Sequence, residues 1–330
     1  MDLRTLIAAD GVHARDVTAL ERLDASTARR VREKTDADAF SAQPSVFASH
    51  ETYAVARASD DAPSDARDHV HVFRLRDDVR EAMTSALLPL ALAKFRRGRE
   101  DEARSLGGAV PGPGSDVSVI RSNRGGYQSY ADLLDSEDED EDEDEDADAA
   151  RAVGDAGDDA GDALGTPSRA RSGSKTTAPW ALVTDIALEA YARVRSPSQR
   201  ADVRARDVYG WLNVNAPGDY NRLHAHDDVD RWSGVVYLAV PDLTATPQVP
   251  PDAGALGVRA SELASASSTD AAVAYFVHPP AVGDLVVFSG AALHAVSAFP
   301  APTGVDPPRE TDDTYPFPAL RVSVAFNVDC

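Results

Sequence analysis

Cysteine is almost missing from this 330-residue chain; the single one is Cys330. A disulfide framework within the chain is impossible, and cysteine cannot build a metal cluster. That fits a reducing compartment, so the cytoplasm or the nucleus is expected. Long apolar runs are missing as well. The longest, ALLPLALA at 86–93, contains Pro89 and is too short to span a bilayer. The opening MDLRTLIAADGVHARD has no apolar core of the signal-peptide kind and carries acids early. A soluble protein with no membrane partner is expected. Basic charge is scarce: 33 Lys and Arg stand against 55 Asp and Glu, a net charge of −22. The excess is concentrated. Residues 137–146 are ten consecutive acids, and 135–162 hold sixteen acids against Arg151, which accounts for −15 and leaves −7 elsewhere. The body is only mildly acidic, and no broad nucleic-acid surface is expected.

What is present suffices for a sizeable core: hydrophobic residues make up 43% of the chain. Residues 1–60 read as an N-terminal extension, partly helical or disordered. HVHVFRL at 69–75 reads as a strand, followed by a helix over about 77–97 that Pro89 would kink. A loop is expected at 107–114 and a strand at 117–121, so that 61–134 form the N-terminal part of the fold. Residues 135–178 have too few apolar groups to offset the entropy of ordering, and a disordered acidic insertion is expected there. It is a solvated spacer or, in the sharper reading, a contact for a basic protein. At 179–194 Trp180, Val183, Ala187, Ala190, Tyr191 and Val194 share one helical face, with Pro179 at the start. Short β segments follow at 208–215, 233–240, 272–277, 284–289, 294–299 and 320–328. Many short strands with turn punctuation and no helices between them predict a mainly β sandwich or barrel over 179–330, supported by N-terminal helices.

The chain has two His-x-His pairs among its eight histidines. Side chains alternate along a strand, so each pair would set two imidazoles on one face. His69 and His71 lie in a polar–apolar alternation with no third ligand nearby, and read as solvated strand histidines. His224 and His226 lie in YNRLHAHDDVDRWSGVVYLAVP, at the edge of an apolar strand. A third histidine, His294, starts another predicted strand in GDLVVFSGAALHAVSAF. Two close ligands on one strand and one distant ligand on another can form a facial triad, with one side of the metal open. His226 has the right spacing for the second ligand. Asp227 and Asp228 stay in reserve, should the chain bend after Ala225.

Four ordered elements carry a family resemblance. They are RSNRGGYQSYADLL, then WLNVNAPGDYNRLHAHDDVDRWSGVVYLAVP, then GDLVVFSGAALHAV, then LRVSVAFNV. Together they resemble the iron(II)/2-oxoglutarate-dependent oxygenases, and within them a subgroup with N-x-x-H-x-H…SGVYYL and R-x-S-x-x-F-N motifs. The resemblance covers about 117–134 and 180–330. It implies a double-stranded β-helix, or jelly roll, with iron(II) held by His224, His226 and His294. His226 stands where most members carry an aspartate. It further implies that Arg321 pairs with the distal carboxylate of 2-oxoglutarate and that Ser323, two residues on, can hydrogen-bond the same group. The plainer reading of Arg321 is a structural arginine on the last strand, although a buried arginine is costly unless paired. Asn213, Asn221 and Tyr237 are candidate pocket-lining residues, or a turn cap at Asn221 and core packing at Tyr237. The implied reaction consumes O2 and 2-oxoglutarate, releases succinate and carbon dioxide, and hydroxylates a C–H bond of a small molecule or peptide. Ascorbate belongs in the assay as a reductant. Two alternatives remain: a cupin-like three-histidine dioxygenase without 2-oxoglutarate, and a non-catalytic jelly-roll binding module that uses the acidic segment.

Overall fold

The computed structural model describes residues 2–8, 20–23, 30–31, 45–54, 69–105, 123–124, 126–129, 178–195, 199, 201–226, 231–259, 273–306 and 316–330. The N-terminal part contains α1 (Leu3–Ala8), β1 (Leu20–Leu23), β2 (Arg30–Val31), β3 (Phe47–Ala54), β4 (His69–Leu75), α2 (Asp77–Ser105), β5 (Asn123–Arg124) and β6 (Tyr127–Gln128). Then come α3 (Ala178–Val194), β7 (Val208–Asn215), β8 (Tyr220–His224), β9 (Arg231–Ala239), β10 (Leu256–Arg259), β11 (Val273–His278), β12 (Asp284–Ser289), β13 (His294–Val296) and β14 (Arg321–Asp329).

The strands form two sheets. One runs β1-β11-β10-β13-β8-β5, the other β2-β3-β4-β12-β9-β14-β7-β6. From β7 onward the chain crosses repeatedly between them: β7, β9, β12 and β14 join the larger sheet, and β8, β10, β11 and β13 the smaller. Two facing sheets built by such crossings are a double-stranded β-helix, the expected jelly roll.

Alternation along the strands explains the layers. In β14, Val322, Val324, Phe326 and Val328 face the helices and join a core with Met83, Leu87, Ala91 and Phe95 of α2 and Val183, Ile186, Ala187 and Ala190 of α3. The intervening Arg321, Ser323, Ala325 and Asn327 face the other sheet. A second core of Val70, Leu256, Val258, Phe276, Val286 and Phe288 lies between the sheets, and a third lies under α1, with Leu3, Leu6, Tyr275 and Val277. Gly234 permits a close approach: a Cβ there would run into the ring of Phe326 on the neighbouring strand.

The elements expected at 69–75, 208–215 and 284–289 occur with those bounds. The helix expected at 77–97 continues to Ser105 and runs through Pro89 as one element. β8 and β10 were not foreseen; they carry four or five residues each and too short an alternation to register. β3 lies within the expected extension of 1–60 and pairs along its length with β4. The strand expected at 117–121 and the acidic insertion of 135–178, Ala178 apart, lie outside the described residues. The reading of His69 and His71 as solvated is corrected. Both are buried, because β4 is an interior strand of the large sheet and α2 and α3 cover that face. No helix among the described residues is long and apolar enough to cross a membrane.

Candidate metal centre

Three elements bring the candidate ligands together. His224 is the last residue of β8 and lies directly across from His294, the first residue of β13. Pairing at the ends of two neighbouring strands sets their rings 4.1 Å apart, centroid to centroid. His226 lies two residues beyond β8, where the strand has ended. Its backbone N–H donates to Gly290 O (2.8 Å), and its carbonyl accepts from Arg231 Nη1 (3.1 Å). These bonds return its ring to within 5.4 Å of His224 and 5.0 Å of His294. One nitrogen from each ring falls within 4.8 Å of the others.

The hydrogen bonds decide which nitrogen is available. Nδ1 of His224 meets the carbonyl of Arg222 (2.8 Å), and Nδ1 of His294 the carbonyl of Ala292 (3.0 Å). A carbonyl only accepts, so Nδ1 carries the proton in both rings and Nε2 keeps its lone pair. Nδ1 of His226 meets Asn327 Oδ1 (2.8 Å) and Ser233 Oγ (2.9 Å). In each ring Nε2 is then the nitrogen that a metal would use. Burial, reinforced by the neighbouring imidazoles, lowers the pKa of His224 to about 3 and that of His294 well below the ordinary value. These two rings are neutral at neutral pH, as metal ligation requires. A neutral set of three imidazoles suits iron(II). Asp227 and Asp228 lie outside the described residues.

The histidines open on a pocket lined also by Trp211, Asn213, Asn221, Tyr237, Arg321 and Ser323, with about 490 Å³ of space free of protein atoms, part of it continuous with solvent. All the residues expected at the site from sequence, the two aspartates apart, thus share one cavity. Arg321 is 2% exposed. It donates from Nη1 to Gly254 O (2.7 Å) and from Nη2 to Asn215 Oδ1 (2.8 Å), and its buried Nε–H has no partner among the described residues. Burial lowers its pKa to about 10, which leaves it charged at neutral pH. Ser323 is buried opposite Asn213 on β7 and Tyr237 on β9. Burial raises the Tyr237 hydroxyl to about 12, so it stays a neutral donor. Asn213 Oδ1 is a buried acceptor with no partner among the described residues. A cation with one unused N–H, a hydroxyl and a phenol line this part of the cavity, and all three are groups from which a carboxylate can accept.

Sequence reasoning missed Ser233, Asn327, Asn215 and Trp211. The signal existed for three of them: the alternation that aligned Ser323 with Arg321 continues through Ala325 to Asn327. Asn215 and Trp211 share their face of β7 with Asn213 on the same count.

Residues 209–303 match the model of a family described as "Putative 2OG-Fe(II) oxygenase". The resemblance read from the sequence is borne out at the level of the superfamily by this match. Solved structures similar to the chain include a Pseudomonas putida prolyl-4-hydroxylase, 16% identical, over 74% of this chain and 86% of that one, with a TM-score of 0.33. An oxidoreductase of the 2OG-Fe(II) oxygenase family from Burkholderia pseudomallei is 14% identical over 46% of this chain and 58% of its own, with a TM-score of 0.29. A cupin-2 domain from Rhodospirillum rubrum is 15% identical over 37% of this chain and 51% of its own, with a TM-score of 0.21. The chain thus spans little more than half of the latter two proteins. No curated protein matches it.

Proposed function

We propose that the chain is an iron(II)- and 2-oxoglutarate-dependent oxygenase that hydroxylates a C–H bond of a small molecule or peptide. The observation that carries this reading is one cavity holding three convergent imidazoles and, on its wall, a buried arginine with an unused N–H. His224, His226 and His294 would hold the iron through Nε2. Arg321, pre-oriented by Gly254 and Asn215, would pair with the distal carboxylate of 2-oxoglutarate, with Ser323 and the Tyr237 hydroxyl beside it. Leu256, Phe288 and Val296 give the cavity an apolar wall that limits water near the metal. Bound iron(II) would supply the oxidative chemistry by which 2-oxoglutarate, O2 and R–H become succinate, CO2 and R–OH.

The test is turnover of the cosubstrate. Protein incubated with iron(II), ascorbate, O2 and 2-oxoglutarate should form succinate slowly without substrate and faster with it, and His294→Ala should abolish it. Iron-loaded protein that forms no succinate with any candidate substrate would overturn the reading. The donor set favours a second one: three histidines without a carboxylate also suit a cupin-like dioxygenase. That enzyme would consume O2 without 2-oxoglutarate and would not depend on Arg321.

A further inference from the structure

His226 is the least supported of the three ligands by secondary structure, since β8 stops at His224. It is nevertheless held at three points. Gly290 O takes its backbone N–H and Arg231 Nη1 holds its carbonyl. Arg231 is itself fixed by Asp329 on β14 (Nε to Oδ1, 2.7 Å) and lies over the ring of Tyr209. The third point is the imidazole. Nδ1–H of His226 is directed at Asn327 Oδ1, and Ser233 Oγ–H donates to the same oxygen (2.7 Å). The Asn327 amide is oriented in turn by donation from Nδ2 to Tyr209 Oη (2.9 Å). Asn327 is 3% exposed, so these bonds form away from bulk water, where a mispaired donor is most costly.

We propose that Asn327 is a positioning residue that makes His226 the second metal ligand: it fixes the ring's tautomer and aim through Nδ1–H, backed by Ser233 and Tyr209. The proposal rests on the three-histidine reading above. Its chemistry is that of an outer-shell acceptor, which fixes the direction and basicity of a ligand's lone pair. A neutral amide in this place leaves the centre without anionic charge in the ligands or in the group behind His226. Asn327→Asp would put a carboxylate behind the imidazole, with Tyr209 Oη–H rotating to donate to it, and would strengthen the ligand rather than break it.

Cobalt(II) titration, followed by its visible absorption bands, separates the outcomes. Wild-type protein should bind one ion. Asn327→Ala should bind about 10- to 100-fold more weakly, with altered bands, and its metal-free form should melt lower because buried donors lose their acceptor. Asn327→Asp should recover affinity to the wild-type level or above. Wild-type affinity in Asn327→Ala would overturn the positioning role and leave the metal centre standing. Equal loss in the Ala and Asp variants, in step with lost melting temperature, would overturn it too, since a fold defect would then explain the loss. Failure of the wild-type protein to bind cobalt(II) or iron(II) would overturn the metal centre, and the positioning role with it.

Discussion

The chain carries the same motif twice, with opposite outcomes. His69 and His71 stand in β4, and His224 and His226 at the end of β8. β9 separates the two pairs. Trp232 lies edge-on to His71 on its helix-facing side, and the next residue, Ser233, contacts His226 inside the barrel. In the first cluster the imidazoles use one another: His50 Nε2 lies 3.2 Å from His71 Nδ1, and Thr52 Oγ1 lies 3.1 Å from the same atom. In the second, acceptors take every Nδ1–H, and one nitrogen of each ring lies within 4.8 Å of the others. Spacing gives two rings on one face; what binds the inner nitrogens decides whether they become ligands or packing.

The largest contrast should come from truncating one histidine in each cluster. His226→Ala should abolish stoichiometric iron(II) binding, measured by anaerobic titration, with a small effect on melting. His71→Ala should leave metal binding intact and cost about 2–4 kcal/mol of unfolding free energy in urea, because it empties a buried site against Trp232. Next is Arg321→Ala. It should raise the 2-oxoglutarate concentration at half-saturation by about 100-fold or more while iron still binds, and an unchanged requirement would remove the arginine from the site. A smaller effect is expected with pH. Burial and then Arg193 lower the His50 pKa to about 4, and burial lowers that of His71 well below its usual value. Unfolded histidines titrate near 6.5, so below that pH the unfolded chain binds more protons than the folded one. This cluster's contribution is full above pH 6.5 and is lost as the pH falls towards 4. Melting temperatures between pH 7 and 4 should show that slope, and His50→Gln should flatten it. The smallest effect is expected for Ser233→Ala. Asn327 still accepts from His226, so metal affinity should fall only a few-fold, about 1 kcal/mol or less.

The sequence made the architecture legible where alternation was long. β7, β12 and β14 each repeat the pattern six to nine residues, and the apolar face of α3 repeats over four turns. It was silent at β10, where four buried residues show no alternation. The candidate site was legible in its histidines and its arginine because these residues are rare in apolar strands and therefore stand out. The groups that aim them were not, because Ser233 and Asn327 are ordinary residues until strand register sets them side by side at β9 and β14. The burial of His71 was hidden for the converse reason: polar–apolar alternation suggests one wet face, and here α2 and α3 cover it.

Diffraction from crystals of the iron(II)-loaded protein, recorded at the iron absorption edge, tests the central claim most directly. One anomalous peak is expected between His224, His226 and His294, bonded to Nε2 of all three, with the Nδ1 of His226 still on Asn327. A peak ligated by Asp227 or Asp228 in place of His226, or no peak in this cavity, would contradict it.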